Sequence, residues 1–435
     1  MLVDRFLGSL VGLAVGDALG GPADGLDAEA IRERYGRIEG YRDAQPDDPQ
    51  SWRQPGLHSD DTQQALIVTE AILETGRADP ETIVHKMVAL SEGPRTVPFG
   101  AHRGTGRNYR FSVQEMRQHR RWNSGSRNTA GIGAAMRVAP VGLFFAGDDP
   151  ALRTNACMSA LVTHTDPRAC LAACAVAYLA ARVSRSSAPV DASETHAALL
   201  QFVRRSEGWF MDNHGSRSHP SVRDTYGQFG NALEALGGLI QRPPDAVLPS
   251  IARTAAELAG QEVNHPCRGF ALAGVVSAIY FFLHYREHLG DALLAAVNAG
   301  GDADSVAAIT GALCGAAAGE SAIPEPWLTG LVARHQIRLR ALALAGEEPE
   351  GSEWQPLESF ELELTIEEDR QRRAAFPPGT FPDAYDWEEP PPRPAPEEPE
   401  REEVEVGGAP ERAPRDRGPR SRSGRDTRRR GRRRT

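Results

Sequence analysis

Length, composition and charge already exclude several classes of protein. With 435 residues, 40% of them apolar, the chain can form two or three ordinary domains, or one large domain with additional segments. Its five cysteines form no CxxC pair, which argues against a zinc site and favours the buried, reduced thiols of a cytosolic protein. The formal net charge of −10 is unevenly distributed, because residues 411–435 alone carry +9 and leave about −19 on the remainder.

The N-terminal segment MLVDRFLGSLVGLAVGDALGG resembles a short secretory signal only superficially. Asp4 neutralises the basic residue next to it, and no small-residue cleavage site precedes Asp17. The longest uncharged apolar run, residues 269–283, is too short to cross a bilayer comfortably. We therefore expect a cytoplasmic protein with no membrane-spanning segment.

Residues 1–346 have the periodicity of helices. Apolar residues recur at three- and four-residue spacing in segments such as ALIVTEAIL and ACLAACAVAYLAARV, and strand-like alternation is scarce. This pattern predicts one large all-α, helical-bundle domain. In the helix expected after Ser305, Gly311 and Gly315 lie four residues apart, which favours close helix packing at the centre of the bundle.

The segment HSDDTQQALIVTEAIL, residues 58–73, places a hydroxyl and two adjacent aspartates directly before an apolar helix. The ordinary interpretation is helix capping by Ser59 or Asp60, with Gln63 completing half of a capping box. Negative charge at a helix start is also favoured by the helix dipole. Capping by itself, however, does not require both Asp60 and Asp61.

A second acidic segment, NAGGDADSVAAITGAL, lies at residues 298–313. Asp302 could cap the following helix, and the two preceding glycines could form the turn. This segment nevertheless contains the same residue types as the first, two aspartates and a hydroxyl, at Asp302, Asp304 and Ser305. Carboxylates and hydroxyls are the ligands that Mg²⁺, Ca²⁺ and Mn²⁺ prefer. If the two helices are neighbours, their N-termini could form a binuclear metal site.

The composition changes after about residue 346. Residues 359–376 could form one more helix or strand on the core, so 347–387 is an extension whose structure the sequence leaves open. Residues 388–405 are acidic and rich in proline, and residues 411–435 contain twelve arginines; we expect 388–435 to be disordered. The Arg-rich end could contact nucleic acid phosphates or an acidic partner, or it could serve only solubility.

Six segments, occurring in the same order, resemble the ADP-ribosylglycohydrolase family, which includes the dinitrogenase-reductase-activating glycohydrolase and the ADP-ribosyl-acceptor hydrolases. They cover roughly residues 1–320 and are GSLVGLAVGDALGGPAD, YGRIEGY, SDDTQQAL, GAAMRVAPVGL, THTDPRA and NAGGDADSVAAITGAL. The resemblance implies a site for two Mg²⁺ ions, or Mn²⁺, whose ligands in this sequence are Ser59, Asp60, Asp61, Asp302, Asp304 and Ser305.

The resemblance also implies substrate-binding residues. The loop containing Gly131 and Gly133 matches the one that wraps the pyrophosphate of ADP-ribose in the family, and His164 matches a position near the nucleotide. Ile132 replaces an asparagine of many relatives, and Arg137 is expected to have a structural role. Asp24 stands where relatives commonly carry glutamate; either its loop moves inward or another carboxylate takes its place.

The activity implied is Mg²⁺-dependent hydrolysis of the glycosidic bond between ADP-ribose and an acceptor, with Asp24, Asp61 and Asp304 as catalytic residues. The expected substrate is an ADP-ribosylated protein or a small ADP-ribosyl compound. The alternative is a catalytically weakened relative that binds ADP-ribose and carries an Arg-rich tail for nucleic acid or another partner. The departures at Asp24 and Ile132 motivate that alternative.

Overall fold

The helical periodicity of the sequence is realised throughout a computed structural model that describes residues 2–186, 188–348 and 354–385. No β-strand forms within these ranges, where pairing is limited to three isolated bridges. The all-α prediction is therefore confirmed. The helices are α1 Leu2–Gly20, α2 Ala28–Tyr35, α3 Asp60–Thr75, α4 Pro80–Leu90, α5 Arg107–His119, α6 Gly133–Met136, α7 Ala139–Phe144, α8 Asp149–Leu161, α9 Pro167–Arg185, α10 Ala192–His214, α11 Gln228–Leu236, α12 Pro244–Ala259, α13 Val276–His284, α14 Leu289–Ala299, α15 Ala303–Ala318, α16 Glu325–Gly330, α17 Arg334–Leu344 and α18 Leu357–Ala375.

Shorter helical turns join these elements. A π-helix runs from Ala271 to Val275 directly before α13, where its buried residues pack in the core. The 3₁₀ helices are Gly21–Ala23, Gly215–Arg217, Pro220–Thr225 and Glu320–Ala322. The first of them follows α1 and leads to Asp24, so the direction of α1 determines where that carboxylate lies.

Helices α1 and α15 pack backbone against backbone at the centre of the molecule. A Cβ atom added to Gly12 would lie 2.5 Å from the carbonyl oxygen of Gly311, and one added to Gly16 would lie 2.1 Å from that of Ala307. One added to Gly20 would lie 2.5 Å from the Cα of Asp304. Because glycines recur every fourth residue along α1, this close approach persists along one face and brings the start of α15 to the end of α1.

The last described helix, α18, is fixed to the core by a buried charge cluster. Glu361 is fully buried, accepts hydrogen bonds from Arg103 at 2.5 Å and Gln63 at 2.8 Å, and lies 2.9 Å from Nε2 of His58. Burial by itself would raise the pKa of Glu361, but the charge of Arg103 together with the interactions of His58 and Gln63 holds it well below its ordinary value. Helix α18 thereby contacts His58, the residue that precedes Ser59.

All five cysteines are free and buried, as the absence of paired spacing predicts. None of the helices within the described ranges is both long and apolar enough to cross a bilayer. Residues 1–386 group into one compact unit. The expectation of a disordered, Arg-rich C-terminal segment lies outside the described residues.

Candidate functional site

The start of α3 is capped by an aspartate from another helix. Asp17, buried in α1, accepts hydrogen bonds from the backbone N–H groups of Ser59 at 2.9 Å and Thr62 at 3.0 Å, and from the Thr62 hydroxyl at 2.6 Å. Ser59 is the N-cap residue, and its hydroxyl accepts a longer bond, 3.4 Å, from the N–H of Asp61. The capping interpretation of Asp60 is therefore wrong, because Asp17 supplies the acceptor that the first turn requires.

The proposed capping box is also wrong. Gln63 donates instead to the Ala101 carbonyl and to Glu361, both at 2.8 Å. At the second segment Asp302 occupies the N-cap position, but its side chain makes no capping hydrogen bond. Asp304 accepts from the N–H of Ser305 at 2.9 Å. Neither pair of aspartates is consumed by helix capping.

Carboxylates from three separate parts of the chain converge in one pocket. Oxygens of Asp24, Asp302 and Asp304 lie within 4.8 Å of one another, and so do oxygens of Asp17, Asp61 and Asp304. Asp60 also lines the pocket and accepts a hydrogen bond from Gln64 at 2.7 Å. The two acidic segments, in which Asp60 and Asp302 are 242 residues apart, are brought together by the packing of α1 against α15.

The two serines lie beside these carboxylates. Ser59 is fully buried and donates from its hydroxyl to Oδ2 of Asp61 at 3.1 Å. The hydroxyl of Ser305, which lines the pocket, lies 3.7 Å from the sulfur of Met136. The Ser59 hydroxyl thus bonds the neighbouring Asp61, whereas Ser305 bonds Asp304 through its backbone N–H.

The electrostatics of the carboxylate group favour a positively charged ligand. Burial first, and then the neighbouring carboxylates, raise the pKa values of Asp60, Asp61, Asp302 and Asp304. The surrounding protein crowds the Asp24 carboxyl although part of its side chain meets solvent, and this partial desolvation, with the charge of Asp304, raises its pKa. Oδ1 of Asp61 is buried and has no hydrogen-bond partner among the described residues. An orphaned carboxyl oxygen within such a group fits the donor set of a divalent cation.

The opposite wall of the pocket contains glycines and His164. A Cβ atom on Gly131 would lie 3.3 Å from Nε2 of His164, and one on Gly133 would lie 3.4 Å from its Cε1. The backbone around Arg127 holds the histidine in place, because Arg127 exchanges hydrogen bonds with Thr163 and Thr165. Gly131 is bridged to Phe270 in the turn before the π-helix. Both glycines and His164 therefore line the same pocket as the aspartates.

His164 is held as an uncharged ring. Its Nδ1 lies 2.8 Å from the Thr163 hydroxyl, which also accepts from Arg137 at 2.8 Å. In the tautomer whose Nδ1 accepts from that hydroxyl, Nε2 carries the proton beside Gly131. Burial, with the charge of Arg137, lowers the pKa of His164 to about 3, so the ring stays uncharged near neutral pH.

Arg137 connects the two walls, in agreement with the structural role expected for it. It is fully buried and donates to the side-chain oxygen of Gln64 at 2.7 Å, which leaves the amide nitrogen of Gln64 to reach Asp60. Its other nitrogen reaches the carbonyl of Ser159 at 2.6 Å as well as Thr163. One guanidinium therefore orients a carboxylate on one wall and, through Thr163, His164 on the other.

Asp24 reaches the carboxylate group despite its short side chain, since its oxygen lies within 4.8 Å of Asp302 and Asp304. The turn that carries it is fixed by hydrogen bonds from Gly25 to Gly301 at 2.7 Å and from Gly301 to Leu26 at 2.7 Å. Ile132, the other departure, is 5% exposed and packs in the core.

Sequence reasoning missed several residues of the pocket. Gln64 lies four residues after Asp60, on the same helix face, so its position gave a usable signal. Tyr109 lines the pocket with a hydroxyl that is buried and has no partner in the described part of the chain, and burial raises its pKa. Asp17 and Arg53 approach the site only through tertiary packing, and no motif identified their contacts in advance.

Comparison with known proteins decides the family. The family model for ADP-ribosylglycohydrolase matches residues 1–353. The chain belongs to the ADP-ribosylglycohydrolase family. It is accordingly a glycohydrolase, and the resemblance drawn from the six sequence segments is confirmed.

Named relatives span most of this glycohydrolase. The ADP-ribosylarginine hydrolase Tri1 of Serratia proteamaculans is 26% identical over 77% of this chain and 77% of its own. The ADP-ribosyl-[dinitrogen reductase] glycohydrolase of Rhodospirillum rubrum is also 26% identical, over 79% of this chain and 97% of its own. A solved structure of an ADP-ribosylglycohydrolase-related protein complex is 27% identical, with a TM-score of 0.55 over 79% of this chain and 97% of that one. Hydrolysis of ADP-ribosylated acceptors is the activity that these similarities support.

Proposed function

We propose that the protein hydrolyses the glycosidic bond between C1″ of ADP-ribose and an acceptor, with two Mg²⁺ ions, or Mn²⁺, in the carboxylate group. The observation that carries this proposal is the convergence of Asp24, Asp61 and Asp304 in one pocket, opposite a glycine loop and a neutral histidine. Carboxylates grouped this closely repel one another unless protons or cations neutralise them, and oxygen-rich groups of this kind suit divalent cations.

The ligands would be Asp60, Asp61 and Ser59 from the start of α3, and Asp302, Asp304 and Ser305 from the start of α15. When bound, the cations supply positive charge that holds ribose hydroxyls and orients a water molecule. Asp17 accepts hydrogen bonds from three donor groups at the start of α3, so we assign it the role of positioning this ligand set.

The protein's own groups would carry the proton transfers. Asp61 or Asp304 would accept a proton from the attacking water, and Asp24, on the solvent side of the group, would assist the leaving group or the water. The carboxylates also stabilise the positive charge that develops at C1″ as the bond breaks.

The glycine wall would bind the rest of ADP-ribose. Gly131 and Gly133 allow the backbone to approach the pyrophosphate closely, and a side chain at either position would meet His164. The Nε2–H of His164 would donate a hydrogen bond to the nucleotide. An ADP-ribosylated protein or a small ADP-ribosyl compound would then project its acceptor away from this wall. The Serratia relative is named for arginine as its acceptor, which makes ADP-ribosylarginine one substrate to test.

A direct test measures ADP-ribose release from ADP-ribosylated arginine and serine peptides, with Mg²⁺ and with EDTA. We expect release only with the cation, and a loss of at least roughly a hundredfold in Asp61→Asn and Asp304→Asn, because each would remove a ligand and a charge. Asp212→Asn, on the exposed surface of α10, is the matched control and should retain full activity. Cation-independent release, or unchanged rates in both site variants, would contradict the proposal.

The alternative of a weakened ADP-ribose binder makes a different prediction. Calorimetry would then detect tight, Mg²⁺-dependent ADP-ribose binding while no peptide is hydrolysed. Ile132 lines the pocket, yet it gives this alternative little support, because its side chain is 5% exposed and its Cδ1 lies 3.1 Å from where a Cβ atom on Gly274 would be. A core role explains the apolar residue without implying a lost activity.

A further inference from the structure

A second cavity adjoins the candidate active site on its solvent side. It has a volume of about 520 Å³ and shares Asp24 and Gly104 with the pocket described above. Its walls include Trp52, Arg53 and Glu368. A cavity of this size accommodates a side chain and part of its backbone. We call it the outer cavity.

The orientation of ADP-ribose proposed above leads the acceptor toward the outer cavity. The pyrophosphate would lie along Gly131 and Gly133, and the distal ribose over the aspartates. The bond from C1″ to the acceptor then points away from the glycine wall. Asp24 lies at that end of the group, where the two cavities meet.

Arg53 stands at this junction with an unused donor. Its Nη1 is buried and has no hydrogen-bond partner among the described residues. A Cβ atom on Gly104 would lie 2.7 Å from Nη2 of Arg53 and 3.0 Å from Cβ of Ser59, so the guanidinium reaches the edge of the first acidic segment. Although burial opposes its charge, Asp304, Glu368, Asp17 and Asp24 together raise the pKa of Arg53. It remains a cation at every physiological pH.

The acids of the outer cavity already face other cations. Asp369 pairs with Arg372 at 3.0 Å and with Arg373 at 2.6 Å, and the charge of Glu368 acts on Arg53. Arg103 is engaged by Glu361 beneath the wall. Asp24 and Glu368 are the lining acids without an ion pair in the described part of this cavity, and the charge of each acts on Arg53, which competes for them with the guanidinium of a substrate.

We propose that the outer cavity binds the acceptor and that Arg53 donates a hydrogen bond to the departing atom, which selects acceptors linked through oxygen, such as the hydroxyl of a serine side chain. This inference rests on the hydrolase function proposed above. A linked arginine would bring its own positive charge against Arg53, and like charges at that separation disfavour binding. An alcohol leaves with negative charge on oxygen, which a fixed guanidinium stabilises.

The reaction is balanced without any further reactant. The C1″–O bond breaks, its electron pair remains on the acceptor oxygen, and the oxygen of water forms the new bond to C1″. The proton that the water loses to a carboxylate is returned to the acceptor oxygen, so that ADP-ribose and an alcohol are released. Arg53 stabilises the oxygen during bond cleavage and keeps its own protons.

Helix α18 contributes to this cavity from outside the segment that the family model matches. The family model ends at residue 353, and α18, which begins at Leu357, contributes Thr365, Glu368 and Asp369 to the wall. Glu361 fixes that helix to Arg103, the neighbour of Gly104. The acceptor side of the site is thus built partly by residues beyond the matched segment.

The test compares two peptides of one sequence, ADP-ribosylated on serine or on arginine, using the full chain with Mg²⁺. We expect the wild type to hydrolyse the serine-linked peptide at least tenfold faster, by kcat/KM. Arg53→Gln should lower kcat on that peptide roughly a hundredfold, the usual effect of removing one oxyanion donor. It should not slow the arginine-linked peptide. ADP-ribose binding, followed by calorimetry, should remain unchanged.

Arg53→Lys keeps the charge and should recover part of the rate and of the preference, which separates the electrostatic role from a structural one. Arg182→Gln, at a surface ion pair with Glu194, controls for loss of one arginine. A wild-type preference for the arginine-linked peptide, or equal loss on both peptides in Arg53→Gln, would overturn this inference alone. Absence of turnover on both peptides would overturn the proposed function and this inference with it.

Discussion

Asp17 shows how one buried residue frees others for chemistry. The first turn of a helix needs acceptors for its unpaired N–H groups, and short polar side chains at the helix start usually supply them. Here a carboxylate from α1 accepts from the N–H groups of Ser59 and Thr62. Asp60 and Asp61 are therefore left to face the pocket, which answers why two acids are adjacent in that segment.

The buried histidine His102 gives a pH-dependent stability that can be measured. Its Nε2 lies 2.9 Å from the Met87 carbonyl, and its Nδ1 is buried without a partner among described residues, so protonation places an unsolvated charge in the core. Burial lowers the pKa of His102 to about 4. The unfolded chain binds this proton below about pH 6.5, and the folded chain binds it only near pH 4, so stability falls as the pH falls through this window.

We expect protonation linked to His102 to make the free energy of unfolding roughly 2 kcal/mol lower at pH 5 than at pH 7.5. The figure follows because pH 5 lies about one and a half pH units below the ordinary pKa of histidine. Urea denaturation at both pH values, in the wild type and in His102→Gln, measures this difference. The glutamine can still donate to the Met87 carbonyl but does not titrate, so its stability should change less with pH. Equal pH dependence in the two proteins would contradict the assignment.

At the scale of elements, the contact between α1 and α15 is the one that assembles the site. A Cβ atom on Gly311 would lie 2.0 Å from the carbonyl oxygen of Gly12, a backbone atom that cannot move aside. Gly311→Ala should therefore destabilise the protein by roughly 1–3 kcal/mol, the usual cost of overpacking. It should also weaken the hydrolysis proposed above, because α15 carries Asp302 and Asp304.

A matched substitution isolates packing from helix propensity. Gly208 lies on the exposed face of α10, and a Cβ atom there would have no neighbour within 4 Å. Gly208→Ala should stabilise the protein by roughly 0.5–1 kcal/mol, since alanine favours helix more than glycine does. Thermal denaturation should show a lower melting temperature for Gly311→Ala and a higher one for Gly208→Ala, each relative to the wild type. Stabilisation by Gly311→Ala would contradict the packing argument.

Docking of α18 depends on Glu361. Breaking a buried ion pair leaves its partner charged and unsolvated, at a cost of roughly 3–5 kcal/mol. We expect Glu361→Leu to cause a loss of this size in urea denaturation and to increase hydrogen exchange in α18 and near His58. Glu363→Leu, on the exposed side of the same helix, should change stability little. Equal effects at the two positions would show that α18 is not held by this charge cluster.

At the scale of the whole molecule, the residues proposed for catalysis all lie within the described part of the chain. Deleting residues 411–435, which carry twelve arginines, should therefore leave hydrolysis of small ADP-ribosyl peptides unchanged. If this segment contacts nucleic acid phosphates, the full chain should bind RNA or DNA less tightly as salt increases, and the deletion should abolish that binding. Filter binding at two salt concentrations measures it. Collapse of peptide hydrolysis would place the segment in the active domain.

Several features were determined by the sequence alone. The helical class followed from apolar periodicity, and the family followed from six ordered segments. The two acidic segments could be recognised because each contains more carboxylates than helix capping uses. These features are local, so short stretches of sequence carry the necessary information.

Other features were decided only by tertiary structure. Asp17 contacts residues more than forty positions away, and Glu361 contacts residues about three hundred positions away, so their roles depend on how helices pack. Arg53 lies in a segment without a motif. Only the folded structure shows that its guanidinium lies beside Gly104 and that its Nη1 has no hydrogen-bond partner among the described residues. The sequence could name which oxygens are available for a cation. The backbone contact between α1 and α15 decided that these oxygens meet. A glycine face permits close packing of two helices, but the sequence of one helix does not specify which helix will pack against it.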